Sequence, residues 1–150
     1  MLAINNLTHE GIKIDEKFLK NIAKKILVKE KISTNADLSI ALVDSEEIKK
    51  LNKQYRGINK ATDVLSFGKF EKKLKLKDFS EPEIIICLKE VQKNAKSAKE
   101  PFEKELARVL IHALLHLKGF EHEQGGVAAQ KMFTKQEKYL TLFRFNFENK

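Results

Sequence analysis

The stretch PFEKELARVLIHALLHLKGFEH, residues 101–122, decides how this chain folds. Pro101 suits a first helical turn, where its missing N–H costs nothing. Behind it Phe102, Leu106, Val109, Leu110, Ala113, Leu114 and Leu117 recur at helical spacing, and Ile111 and Leu115 make the other side apolar as well. A helix hydrophobic all round belongs in the interior of a domain, so the remaining elements have to be built around it. Gly119 stands where the apolar pattern stops. Glycine takes the left-handed conformation that ends a helix and turns the chain back.

Working outward, LAINN (2–6) reads as a short strand, and Asp15 as the N-cap of an amphipathic helix that ends near Lys31. Its buried stripe is Phe18, Leu19, Ile22, Ala23, Ile26 and Leu27. DLSIALV (37–43) alternates Leu38, Ile40 and Leu42 on one face of a strand. Asp44 and Glu47 have the spacing of a capping box that opens a second helix, with Ile48, Leu51 and Tyr55 facing inward and Gly57 as its stop. TDVLSF (62–67) predicts a strand, and the lysine-dense segment 68–82 a solvated loop that could serve as a flap. EIIICL (83–88) is apolar on consecutive positions, as a strand buried on both faces is, which makes Cys87 a buried structural thiol. A helix over 89–99 follows. After Gly125 and Gly126 a last helix is marked by Ala128, Met132, Tyr139 and Phe143. The expected fold is α+β, an α/β sandwich with about four strands in a mixed sheet and the apolar helix packed on one face. Residues 1–150 read as a single domain.

Three of the four histidines, His112, His116 and His122, fall in or just after the central helix. Side chains four apart differ by about 40° in direction and about 6 Å in height, so His112 and His116 project side by side and can meet one ion. His122 is too far along a continuous helix to join them, but a turn at Gly119 brings it back. Three neutral imidazoles with a fourth position open describe a catalytic zinc site, with nickel able to stand in for zinc. Such an ion lowers the pKa of bound water from about 15.7 to about 7. The bland alternative is a set of hydrogen-bonded core histidines, but leaving three buried imidazoles without partners is costly. The spacing H-x-x-x-H-x-x-G-x-x-H is also that of a class of zinc proteases, whose general base is a glutamate after the first histidine. Here that position is Ala113, which disfavours peptide hydrolysis.

Composition narrows the partners. The chain carries 29 Lys+Arg against 21 Asp+Glu, a net charge of +8 that favours a polyanion. Lysine and glutamate enrichment also marks heat-adapted proteins, so charge alone does not single out nucleic acid. No apolar run approaches the roughly 20 residues of a membrane span, and the N-terminus lacks the pattern of a signal peptide. The expectation is a cytoplasmic protein without a membrane partner.

HALLHLKGFEH resembles the H-G-x-L-H-L-x-G-Y-D-H motif of the YbeY family of bacterial metal-dependent endoribonucleases, and LNKQYRGINKATDVLSF (51–67) resembles that family's L-N-x-x-Y-R-x-x-x-x-x-T-D-V-L-S-F. Ala113 stands where the family has glycine, and Phe120 and Glu121 where it has Tyr and Asp. The family's Gly-Asp is met here only by EPEIII, around Pro82 and Glu83, so no role is carried over for that aspartate. The resemblance implies a zincin-like fold, His112, His116 and His122 as zinc ligands, and Arg56 as a residue needed for RNA processing. It further implies single-strand-selective cleavage, maturation of the 3′ end of small-subunit ribosomal RNA, and ribosome quality control. Partners would then be ribosomal RNA, the small subunit or assembly factors, with the chain acting as a monomer.

Arg56 closes the second helix beside Gly57. A guanidinium can grip a phosphate with two parallel bonds and stabilise charge developing on it, whereas the modest alternative is a cation at the negative end of the helix dipole. Lys49, Lys53 and Arg56 fall at i, i+4 and i+7 and, with Lys50 and Lys60, form a basic stripe that fits RNA or an ordinary solvated face. Glu121 can orient a ligand imidazole or take a proton. Attack by water and attack by the RNA 2′-OH both remain open. Two rival functions are a metal-containing ribosome assembly or RNA-binding factor without robust nuclease activity, and a metallohydrolase of another substrate.

Overall fold

A computed structural model describes residues 1–33, 36–70, 81–120 and 125–145. Its elements run β1 (Leu2–Asn6), α1 (Glu16–Lys29), β2 (Leu38–Leu42), α2 (Ser45–Arg56), β3 (Val64–Phe67), β4 (Glu83–Ile86), α3 (Leu88–Ala98), α4 (Phe102–Lys118) and α5 (Gly126–Leu140). The four strands form one mixed sheet in the order β1-β2-β4-β3. β1, β2 and β4 are parallel, in a register that aligns Leu2 with Leu38 and Ile40 with Ile84. β3 runs antiparallel on the edge, with Val64 opposite Ile86 and Phe67 opposite Glu83. The α+β fold with its mixed four-stranded sheet is the one expected.

The apolar run of β4 explains itself in section. Ile84 and Ile86 point into the main core with Leu38, Ile40 and Leu42, under α1, α3 and α4. Ile85 and Cys87 face the other way, into a smaller core with Ala41, Val43, Leu65 and Phe67, closed by Ile48 of α2. Parallel strands covered on both faces have no solvent side, so strict alternation disappears. Cys87 is fully buried.

Several local expectations are corrected. α1 stops at Lys29, two residues early, because Lys31 takes a left-handed φ of 59°. Asp15 does cap α1, accepting from Lys17 N at 2.9 Å. Asp44 stands at the N-cap of α2 without capping it. Its carboxylate accepts instead from the Thr8 hydroxyl (2.6 Å) and His9 N (2.7 Å), which hold its pKa below the ordinary value. Glu10 supplies the missing acceptor to Ser45 N from across the fold, a long-range partner that no local spacing could announce. Pro101 is the residue before the first turn of α4 rather than in it. Tyr55 is not part of the buried stripe of α2, being 43% exposed, and Asn52 turns inward to donate to Lys60 O at 2.9 Å. Phe143 lies past the end of α5.

α4 packs against α1, α3, α5 and β3 and is the central helix, but it is not apolar all round. Arg108, His112 and His116, spaced four apart, are only half-buried and form a ridge along it. Gly119 ends the helix at φ 118°, as its position required.

Candidate active site

The polar ridge of α4 and the edge strand β3 face a cleft of about 810 Å³. Its lining includes Arg108, His112, Ala113 and His116 from α4, Val64–Phe67 from β3, Tyr55 and Arg56 from the end of α2, and Gln136 from α5. The chain beyond β3 is clipped to the foot of α4 by Phe70 N donating to Leu117 O at 3.0 Å, which fixes strand and helix together.

His112 and His116 stand with ring centroids 4.8 Å apart and planes at 79°. Helical spacing alone brings them together, as expected. His112 Nδ1 lies 2.7 Å from Gln136 Oε1. Gln136 Nε2 donates to Glu137 Oε2 at 3.1 Å, so the amide oxygen is the end left to accept from the imidazole. That assigns the proton of neutral His112 to Nδ1 and the lone pair to Nε2, the form a metal ligand needs. Glu137 is held in turn by Arg108, which donates from Nε (3.0 Å) and Nη2 (3.3 Å), while Arg108 Nη1 donates to Glu105 at 2.5 Å. A chain of five side chains thus runs from Glu105 to the imidazole.

Burial and charge act against each other along this chain. Burial pushes the Glu105 carboxyl above its ordinary pKa, with Arg108 only partly offsetting it. Burial opposes the charge on Arg108 as well, but the bonds to Glu137 and Glu105 outweigh it and raise its pKa. Burial also works against ionised Glu137, yet the Arg108 and Gln136 bonds prevail and bring its pKa below the usual value. Arg108 and Glu137 therefore form an ionised, two-pronged pair whose role toward the site is to hold Gln136.

Arg56 reaches the cleft from the other side. Its Nη2 donates to Ser66 O at 2.9 Å and its guanidinium lies 5.5 Å from the centroid of the Phe67 ring. One contact to a carbonyl uses one of five N–H donors, so the side chain keeps a grip for an anion. The rest of the predicted basic stripe is placed differently. Lys53 and Lys60 are exposed and Lys49 is half-buried, and none of the three lines the cleft. Lys69 does line it. His122 and Glu121 lie outside the described residues, as does most of the expected flap, residues 71–80. Among the described residues no group of three metal-ligating side chains occurs.

A family model, Endoribonuclease YbeY, matches residues 3–144. The chain belongs to the YbeY family. It is 39% identical over 134 residues to Endoribonuclease YbeY of Persephonella marina, covering 89% of this chain and 87% of that protein. It is 37% identical over 142 residues to the protein of the same name in Petrotoga mobilis, covering 92% and 93%. A solution structure of TM1509 from Thermotoga maritima superposes with a TM-score of 0.61 at 36% identity, over 93% of this chain and 87% of that one. The relatives are named endoribonucleases, which are hydrolases.

Gln136, Glu137, Arg108 and Glu105 belong to no motif that sequence spacing singles out. A signal existed. Met132, Gln136 and Leu140 form the buried stripe of α5, and a glutamine in the middle of such a stripe needs a polar partner. The ridge Arg108–His112–His116 offers that partner on the facing helix.

Proposed function

We propose that this chain is a zinc-dependent, single-strand-selective endoribonuclease that matures the 3′ end of small-subunit ribosomal RNA and serves ribosome quality control. The observation that carries the reading is the cleft in which His112 and His116 stand on one helix while Arg56 enters from another. His112, His116 and His122 would hold the ion, with nickel able to replace zinc. The donor set fits: two imidazoles sit side by side, and one is fixed in the ligand tautomer by a buried amide. When bound, the ion would supply a Lewis acid and an acidified water.

The chain's own residues do the rest. The Arg56 guanidinium binds the scissile phosphate and stabilises charge that develops on it, held in place by Ser66 O and the Phe67 ring. Gln136 keeps His112 oriented. The net charge of +8, with exposed Lys53 and Lys60 and half-buried Lys49 on α2 and its following turn, draws in the RNA backbone. The zincin-like relationship, action of residues 1–150 as one monomeric domain, a cytoplasmic setting, and association with the small ribosomal subunit or its assembly factors belong to the same proposal. No helix among the described residues is long and apolar enough to cross a membrane.

Metal-replete protein should be offered single-stranded RNA, duplex RNA and a peptide library, with His116→Ala as control. Cleavage confined to single-stranded RNA and lost in the variant is expected. Peptide cleavage without RNA cleavage, or undiminished RNA cleavage by His116→Ala, would overturn the proposal.

A further inference from the structure

The last turn of helix α2 carries an aromatic that its pattern assigns to the core and that the fold leaves in the cleft. Tyr55 is 43% exposed and lines the same space as His112 and His116. Its ring packs edge-on against Phe67, with centroids 5.2 Å apart and planes at 64°. Phe67 is 7% exposed and also carries the Arg56 guanidinium. One buried ring therefore braces an exposed aromatic and a cation on consecutive residues, both facing the cleft.

We infer that Tyr55 is the platform on which an unpaired nucleobase stacks while Arg56 takes the adjoining phosphate, which makes Tyr55 a specificity-determining residue. This rests on the reading of the cleft as an RNA site. A nucleotide offers one planar face and one anion, and Tyr55 with Arg56 offers a matching plane and fork. In a duplex both faces of each base are covered by stacked neighbours, so no face is available to the ring. Selection of single strands then follows from access to Tyr55, with no base-specific hydrogen bond required. A T-shaped contact in which Phe67 already fixes the ring reduces the entropy lost when a base arrives.

The test uses full-length, metal-replete protein and a short 2′-O-methyl oligoadenylate, which binds without being cut, beside the same strand carrying abasic sites. Tyr55→Leu keeps an apolar side chain against Phe67. It should bind the base-bearing strand about ten- to a hundredfold more weakly, the usual worth of one stacked base, and the abasic strand as wild type does. Tyr55→Phe should behave as wild type on both. The chain has no tryptophan, so Tyr55→Trp introduces a single indole. Its fluorescence should be quenched by the base-bearing strand and unchanged by the abasic one. Equal affinity of wild type and Tyr55→Leu for the base-bearing strand, or equal losses on both strands, would overturn the inference while leaving the RNA reading intact. Absence of binding by wild type to either strand would overturn the RNA reading and this inference with it.

Discussion

Replacing Gln136 by methionine keeps the length of the side chain and deletes both of its polar ends. In the native fold Gln136 is 6% exposed and sits between His112 Nδ1 at 2.7 Å and Glu137 Oε2 at 3.1 Å. Glu137 retains its two bonds to Arg108, so the helix pair α4–α5 should stay closed. What is lost is the acceptor that fixes the His112 tautomer. Removing one partner of a part-buried hydrogen bond costs about 1–3 kcal/mol. Losing the outer partner of a ligand imidazole typically weakens metal binding about 10- to 100-fold. Zinc affinity, measured by competition with a chelator and paired with melting curves, should fall by that factor in Gln136→Met. Gln136→Glu should recover the affinity, since it restores an acceptor, while melting at a lower temperature because it sets a carboxylate against Glu137. Equal zinc affinity in wild type and Gln136→Met, both folded, would refute the positioning role and reduce Gln136 to packing.

Arg56→Ala should retain zinc and lose about 10²- to 10³-fold in single-turnover RNA cleavage, with Arg56→Lys recovering little because an ammonium cannot make two parallel bonds. If the residue only answered the helix dipole, Lys would substitute and cleavage would survive. Zinc content by elemental analysis should fall from about one per chain to near none in a His112→Ala/His116→Ala protein and stay unchanged in a His9→Ala control. Affinity for single-stranded RNA should fall steeply with ionic strength, and a flat curve would assign the +8 charge to solubility. The bonds from Arg108 and Gln136 hold the folded pKa of Glu137 below the ordinary carboxylate value, so its stabilisation is present above that ordinary value and lost as pH falls through the folded one. The melting-temperature gap between wild type and Glu137→Gln should therefore be open at neutral pH and close in acid. For a carboxylate about a third exposed it should correspond to about 1 kcal/mol.

Local periodicity is legible in the chain before any folding is known. Three- and four-residue spacing set out the helices, consecutive apolar positions identified β4 as a strand covered on both faces, and Gly119 marked the end of α4. The pairing of His112 with His116 belongs to the same class, because two residues on one turn of one helix are neighbours whatever else the chain does. Tertiary structure decided the rest. Glu10 rather than Asp44 serves the start of α2, Gln136 meets His112 across 24 residues, and Tyr55 faces a cleft instead of the core. Each of these depends on which elements are packed side by side. An amphipathic pattern says that a face is buried, but not against what. A polar residue within such a face finds its partner only when another helix, distant in sequence, brings the complementary group to within a hydrogen bond's length.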